Sequence, residues 1–224
     1  MAKLTLVIGN KNYSSWSLRP WLALRMAGLD FEEVRIPLYE PGSHDAILRH
    51  SAAGRVPVLR DGDATIWDSL AICEYVAERA PQAGLWPDDR AVRAHARSIS
   101  AEMHAGFGAL RSAMPMNLRI ERATLAASPS AAVQADVTRI IAIFEACRAR
   151  HGAAGDFLFG RFTIADAMFA PVATRFRSYS VALPARAQAY ADALFALAPM
   201  REWVAAGVAE TERFPDYEAL VASH

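Results

Sequence analysis

Cysteine is scarce, with Cys73 and Cys147 alone among 224 residues and no CxxC spacing. Such a pair supports neither a disulfide framework nor a zinc ribbon, so both thiols are expected to be buried structural groups on separate helices. An excess of charge is also missing, since 24 Lys and Arg balance 24 Asp and Glu. A neutral chain presents no broad field to nucleic acid or anionic lipid, and neither is expected as a partner. The six histidines are scattered without an HxxxH pair, so no metal site is expected. No apolar run approaches the ~20 residues of a membrane span, and the stretch near the start, about six residues, is too short for a signal-peptide core. A cytoplasmic protein is therefore expected. Apolar side chains are plentiful at 53%, enough for a substantial core in one large or two small domains.

The first eighty or so residues alternate between two periodicities. Lys3 to Ile8 reads as a strand, Leu18, Trp21, Leu22 and Met26 recur at helical spacing before Gly28, and Phe31 to Ile36 reads as a second strand. A short polar helix over Ser43 to His50 is followed by strands over Arg55–Arg60 and Ala64–Trp67, joined by an Asp61-Gly62-Asp63 turn, and then by a helix from Ser69 to Arg79. The order βαβαββα describes an α/β half with a small mixed sheet over residues 1–80. Residues 81–89 carry the Pro, Gly and Asp punctuation of a linker. From 90 to 224 only helical periodicity is found, in segments near Arg90–Met114, Ala131–His151, Thr163–Tyr179, Ala185–Leu197 and Met200–Val208, which suits an all-α bundle.

Three places carry residues with a chemical use. In Ser14-Ser15-Trp16-Ser17-Leu18-Arg19-Pro20, the proline fits comfortably only in a first helical turn, so a helix should start near Ser15 to Ser17 with Ser14 just ahead of its free N–H groups. Those groups and a hydroxyl favour an anion such as a thiolate, although serine is also an ordinary N-cap. Pro57 lies inside a strand-like run, which means either an edge strand or a cis Val56–Pro57 bond that turns the Val56 backbone toward a peptide-like ligand. Asp68-Ser69 opens the third helix, where Asp68 either caps the helix or holds an ammonium, and Ser69 with the helix N–H groups can take a carboxylate. Thr163-Ile164-Ala165-Asp166 is a capping box and serves folding rather than chemistry.

In this order, the serine turn, the Val56-Pro57 strand, the Asp68-Ser69 helix start and the Gly160 to Asp166 box resemble the cytosolic glutathione S-transferase family along nearly the whole chain. The Ser14-Ser15-x-Ser17-x-Arg19 pattern is similar to its serine-type branch, which makes the chain a zeta-like bacterial member by resemblance. The resemblance implies a thioredoxin-like N-terminal domain, an all-helical C-terminal domain, glutathione as co-substrate, a cytoplasmic homodimer and a role in detoxification. It also implies that Ser14 hydrogen-bonds the glutathione sulfur, with Ser15 or Ser17 in reserve. By the same resemblance, Val56 before Pro57 pairs with the cysteinyl backbone, Asp68 and Ser69 take the γ-glutamyl end, and Arg55 reaches the glycyl carboxylate. Zeta enzymes resembling maleylacetoacetate isomerase carry cysteine where this chain has Trp16, so an indole replaces a thiol at the edge of the site.

The expected activity is addition of the glutathione thiolate to small electrophiles. A second pocket is expected from Trp16 together with Met103 and Phe107 on a long helix that also carries Met114 and Met116. A cis–trans isomerisation of a dicarboxylate by addition and expulsion of glutathione is compatible with the same residues, and Arg175 and Arg177 are its candidate carboxylate partners. A fold retained as a binding or interaction module without chemistry is the remaining alternative.

Overall fold

The computed structural model describes residues 3–121, 123 and 128–220. Strands β1 (Leu4–Ile8), β2 (Phe31–Arg35), β3 (Val58–Asp61) and β4 (Ala64–Ile66) form one sheet in the order β2-β1-β3-β4. β1 is parallel to β2, with Val7 opposite Val34, and antiparallel to β3, with Leu6 opposite Leu59. A parallel pair needs a crossover, which α1 (Ser15–Met26) provides, whereas β3 and β4 need only the turn at Gly62, whose φ is 58°.

Strand alternation decides what covers each face. Leu6 and Ile8 point to the side where α1 and α3 (Ser69–Arg79) bring Leu18, Leu22, Ile72 and Val76 into the main core. Val7 points the other way, into a small cluster with Ile36, Val58 and Ile47, the last from α2 (Ser43–Leu48). Burying each such side chain contributes about 1.5–3 kcal/mol, so both faces of the sheet are closed by packing.

The rest of the described chain is helical: α4 (Arg90–Ala105), α5 (Gly108–Ala113), α6 (Ala131–His151), α7 (Ile164–Ser178), α8 (Ala185–Ala196), α9 (Ala198–Ala209) and α10 (Pro215–Glu218). α7 is buried at every position from Ile164 to Phe176, as befits a helix that is apolar nearly all round and packs against both α1 and α4. Cys73 and Cys147 are free and buried, as expected.

Several expectations change. β3 begins at Val58, so Pro57 lies outside the ladder and removes no ladder bond, and the Val56–Pro57 peptide is cis. Pro20 is the sixth residue of α1, in its second turn rather than its first. The long helix expected from Arg90 to Met114 is two helices, because the chain leaves α4 at Gly106 and Phe107 takes φ 58°. A Cβ at Gly106 would lie 2.8 Å from the Glu102 carbonyl oxygen, so the close approach is open to glycine only. The segment after α9, with α10, was not expected at all.

The capping box forms where expected. Asp166 Oδ2 accepts from Thr163 N–H at 2.7 Å and from the Thr163 hydroxyl at 2.9 Å, while Oδ1 accepts from Leu158 N–H at 3.0 Å. Burial pushes the Asp166 carboxyl up to about 6, against the downward pull of those donors. The folded state therefore keeps a proton that the unfolded chain releases near pH 4, and this contribution to stability is lost as pH rises from about 4 to about 6. Asp166→Asn should accordingly be most destabilised relative to the parent near pH 4, with the gap narrowing toward pH 6. Urea unfolding of both proteins at a series of pH values checks this, and a gap that is constant or widens contradicts it.

Candidate functional site

Ser14 occupies the N-cap of α1 but makes no side-chain cap bond; Ser15 N–H donates to the Tyr13 carbonyl at 3.0 Å and Ser17 N–H to the Ser14 carbonyl at 3.2 Å, so among the described residues the Trp16 N–H is the one in the first turn left for another acceptor. Its Oγ lies 2.7 Å from Ser17 Oγ, and Ser17 Oγ accepts from Gly9 N–H at 3.2 Å. With that acceptor position used, Ser17 can donate its proton to Ser14, which leaves the Ser14 hydroxyl proton free to point outward. Ser15 Oγ accepts from a guanidinium nitrogen of Arg175 at 3.1 Å, so its proton is free as well. Ser14 and Ser15 line one cavity of about 510 Å³. Ser17 is fully buried and is a strut between β1 and α1, which removes it as a ligand-facing candidate.

The turn before Ser14 is held by distant residues. Glu210, whose side chain is only 8% exposed, accepts from Lys11 N–H at 2.7 Å and Asn12 N–H at 3.0 Å. Asn12 Oδ1 in turn accepts from Leu118 N–H at 2.7 Å, and its amide donates to Asn117 at 3.0 Å. Tyr13 stacks on Phe214 with centroids 4.2 Å apart and donates to Glu218 at 2.9 Å. Arg119 ties Tyr13 to the carbonyls of Glu210 and Glu212. The segment that follows α9 is thus a brace for the serine turn, and it also brings Tyr217 to the cavity wall.

The start of α3 faces a second cavity, of about 650 Å³. Asp68 caps the helix by accepting from Leu70 N–H at 3.0 Å, and its other oxygen stands 3.1 Å from His104 Nε2 on α4. Ser69 is 1% exposed and its Oγ has no partner among the described residues, an orphaned hydroxyl at a helix N-terminus. Pro57 also lines this second cavity, and Trp16, Arg55 and Val56 line both, so the two spaces share one wall. Val56, just before Pro57, stands outside the sheet register and lines that wall.

Cations gather on the first cavity. Arg55, Arg111 and Arg175 line it, and among the described residues no Asp or Glu does. Arg175 is fixed by Met114 O at 2.8 Å and Pro171 O at 3.2 Å, and burial beside Arg111 pushes it down to about 10, still charged at neutral pH. Arg111 donates to the Gly106 carbonyl, and its guanidinium carbon lies 5.6 Å from the Trp16 ring centroid. Burial lowers its ionisation too. Arg177 points elsewhere, toward Glu121 at 3.5 Å and the Phe195 ring, on a separate cavity of about 730 Å³.

Ser14, Ser15, Trp16, Arg55, Val56, Pro57, Asp68 and Ser69 therefore converge on adjoining cavities. Met103 and Phe107 do not: Met103 is on the buried face of α4 and Phe107, at the break after it, packs into the same main core, so Met116 alone of that stripe reaches the cavity. His104, Arg111 and Glu210 were missed by sequence reasoning. His104 sits in a scatter of histidines without ligand spacing, and its partner Asp68 is 36 positions away, so no local pattern marks the pair.

Residues 13–79 match the family model for the glutathione S-transferase N-terminal domain, and residues 122–206 match that for the C-terminal domain. Glutathione S-transferase Z1 of Arabidopsis thaliana is 31% identical over 172 residues, 72% of this chain and 74% of that protein. Maleylacetoacetate isomerase of Pseudomonas aeruginosa is 34% identical over 109 residues, 47% of this chain and 51% of that enzyme. Several curated relatives are matched over only about half of their length or less. A crystal structure of a glutathione transferase homologue from Burkholderia GL BGR1 with bound glutathione superposes with a TM-score of 0.68 at 23% identity, covering 92% of this chain and 97% of the other.

The brace around the serine turn is testable by itself. Glu210→Ala leaves the Lys11 and Asn12 N–H groups without their acceptor and should destabilise the fold by about 2 kcal/mol. Urea unfolding measures this, and a loss below about 0.5 kcal/mol would show that water replaces the carboxylate at little cost.

Proposed function

The chain belongs to the glutathione S-transferase family, and on that footing we propose that it ionises the glutathione thiol at the start of α1 and transfers the sulfur to a small electrophile. The observation that carries this is the pairing of two helix N-termini across one wall. Ser14 and the Trp16 N–H at the start of α1 stand on one side, and the orphaned Ser69 hydroxyl with Asp68 at the start of α3 on the other. A tripeptide with a thiol in its middle and a carboxylate and ammonium at one end matches that arrangement. Residues 1–80 then form the glutathione-binding domain, 81–89 the linker and 90–224 the helical domain that shapes the second substrate's pocket.

The chemistry follows from the hydroxyl chain. Gly9 N–H, Ser17 and Ser14 form a line of donors ending at the sulfur, each polarising the next. A free thiol near 8.5 is only a few per cent ionised at neutral pH, and lowering it by about two units requires about 2.7 kcal/mol of preferential thiolate stabilisation. One charge-assisted hydrogen bond and a helix N-terminus supply an amount of that order. The thiol proton leaves to water, the thiolate attacks an electrophilic carbon, and the C–S bond forms as the leaving group departs or a carbanion is protonated. Val56 holds the cysteinyl backbone and Arg55 the glycyl carboxylate. We place the enzyme as a cytoplasmic homodimer serving detoxification, in keeping with the family resemblance. Among the described residues no helix is long and apolar enough to cross a membrane.

The carboxylate-free first cavity favours one second activity. Arg111 and Arg175 suit an electrophile that carries carboxylates, such as a maleyl compound isomerised by addition of glutathione, rotation about the resulting single bond and expulsion. Arg175 serves here and Arg177 does not. The relative from Pseudomonas aeruginosa supports this activity, whereas Trp16 narrows the space for it.

Ser14→Ala should raise the pKa of bound glutathione by about two units and lower kcat at neutral pH, while glutathione KM changes little. Thiolate absorbance read against pH decides it; an unchanged pKa would remove Ser14 as the activator and shift attention to Ser15. Arg111→Met should lower kcat/KM for maleylacetone at least about 30-fold while sparing a neutral electrophile. Equal losses on both substrates would speak against carboxylate recognition by Arg111.

A further inference from the structure

Arg19 is the most anomalous charge in the molecule. It is fully buried on α1, and none of its three guanidinium nitrogens has a hydrogen-bond partner among the described residues. An unpaired buried cation is strongly destabilising, so its presence needs a compensating charge. The protein does not supply one. Two groups act to keep it charged: the Cys73 thiol, which burial keeps protonated, and the Asp68 carboxylate, already engaged by Leu70 N–H and His104; the remaining neighbours are the cations Arg175 and Arg111. Burial, then Arg175, pushes Arg19 down to about 9, which still leaves it charged at neutral pH.

The position of Arg19 says where its charge is felt. It lies one turn after Ser15 on the same face of α1, and helical side chains lean back toward the N-terminus. Its guanidinium carbon sits 4.3 Å from the centroid of Trp16, the indole that lines both cavities. The cation is thus stacked behind the shared wall, screened from water, beside the helix end that carries Ser14. Its field adds to that of the helix N-terminus at the place where the sulfur would ionise.

We propose that Arg19 is an electrostatic positioning residue whose missing counter-charge is the bound glutathione thiolate, so that an unpaired buried cation is kept at the expense of stability to hold the thiol ionised. The proposal rests on the assignment of the two cavities to glutathione. Arg19 does not touch the ligand; it acts through space and through Trp16, whose ring it fixes from behind. In a medium of effective dielectric ~20, a unit charge within about 10 Å moves an ionisation by about one unit.

Two variants, Arg19→Met and Arg19→Lys, test this against a purely structural role. Without glutathione, Arg19→Met should melt at the parent temperature or above it, because an apolar chain of similar length replaces an unsatisfied charge. With glutathione, its bound-thiol pKa, read by thiolate absorbance, should rise by about one unit, and Arg19→Lys should stay near the parent value. A folded Arg19→Met protein that binds glutathione with the parent thiol pKa overturns the proposal. If the Met variant does not fold, the Lys variant decides: a parent-like thiol pKa supports the role of the charge, and a pKa raised by a unit despite the retained charge overturns it. Failure of the parent itself to bind glutathione would instead strike the assignment of the cavities, and Arg19 with it, so the two failures are told apart by which protein shows them.

Discussion

A helix N-terminus holds an anion only if the turn before it is rigid, and most of this structure serves that condition. The turn from Asn10 to Ser14 closes on itself where Tyr13 and Ser14 N–H donate to the Asn10 carbonyl at 3.2 and 2.8 Å. Its backbone is held further by the Glu210 carboxylate, by the Asn12 amide clasped to Asn117 and Leu118, and by Trp203, whose indole N–H donates to the Lys11 carbonyl at 3.0 Å. α9 approaches so closely that a Cβ at Gly207 would lie 3.0 Å from Asn12 N. The helical half is therefore the mould of the serine turn as much as it is the wall of a second pocket. Neither half would keep this geometry alone.

The same dependence explains what could be read from the sequence. Ser14, the Asp68-Ser69 helix start and the Thr163–Asp166 box were legible because each is a local device, in which residues a few positions apart satisfy or withhold backbone groups. The mixed sheet was legible because Leu6, Val7 and Ile8 alternate between two covered faces. Glu210 acts on residues 199 and 198 positions away, and His104 acts on Asp68 across the interface of the two halves, so no spacing records either. Met103 and Phe107 misled for the opposite reason. Their helical spacing is that of a buried face: Met103 lies inside α4 and faces the core, and Phe107, past the helix end at Gly106, packs into it as well.

α7 links the folding device to the site. At its start, Asp166 gathers three donors and fixes the first turn; eleven and twelve positions on from its Thr163 N-cap, Thr174 and Arg175 bond to the Pro171 carbonyl. Proline at 171 does not itself free that carbonyl, since the bond it forfeits would have gone from its own nitrogen to Ala167, one turn earlier. Arg175, which also grips Met114 O and Ser15 Oγ, carries the geometry of the buried helix to the first turn of α1. A displacement at the capping box would therefore be felt at Ser15 through a single rigid, fully buried element.

Charge placement gives the cleft its asymmetry. The α3 side presents a carboxylate with a histidine beside it, whereas the α1 side presents Arg111 and Arg175 with no acid among the lining residues. Trp16 stands between them with Arg19 stacked at 4.3 Å, Arg111 at 5.6 Å and the His104 ring edge-on at 5.3 Å. Each cation over an indole contributes about 0.5–2 kcal/mol, more as water is excluded, so the ring cannot swing without losing contacts to α1, α4 and α5 together. A thiol in the middle of a peptide would meet positive potential on one flank and a place for an ammonium on the other. An indole at this wall, in place of a thiol, thus closes the site with a surface whose orientation is set by the cations that also favour the anion.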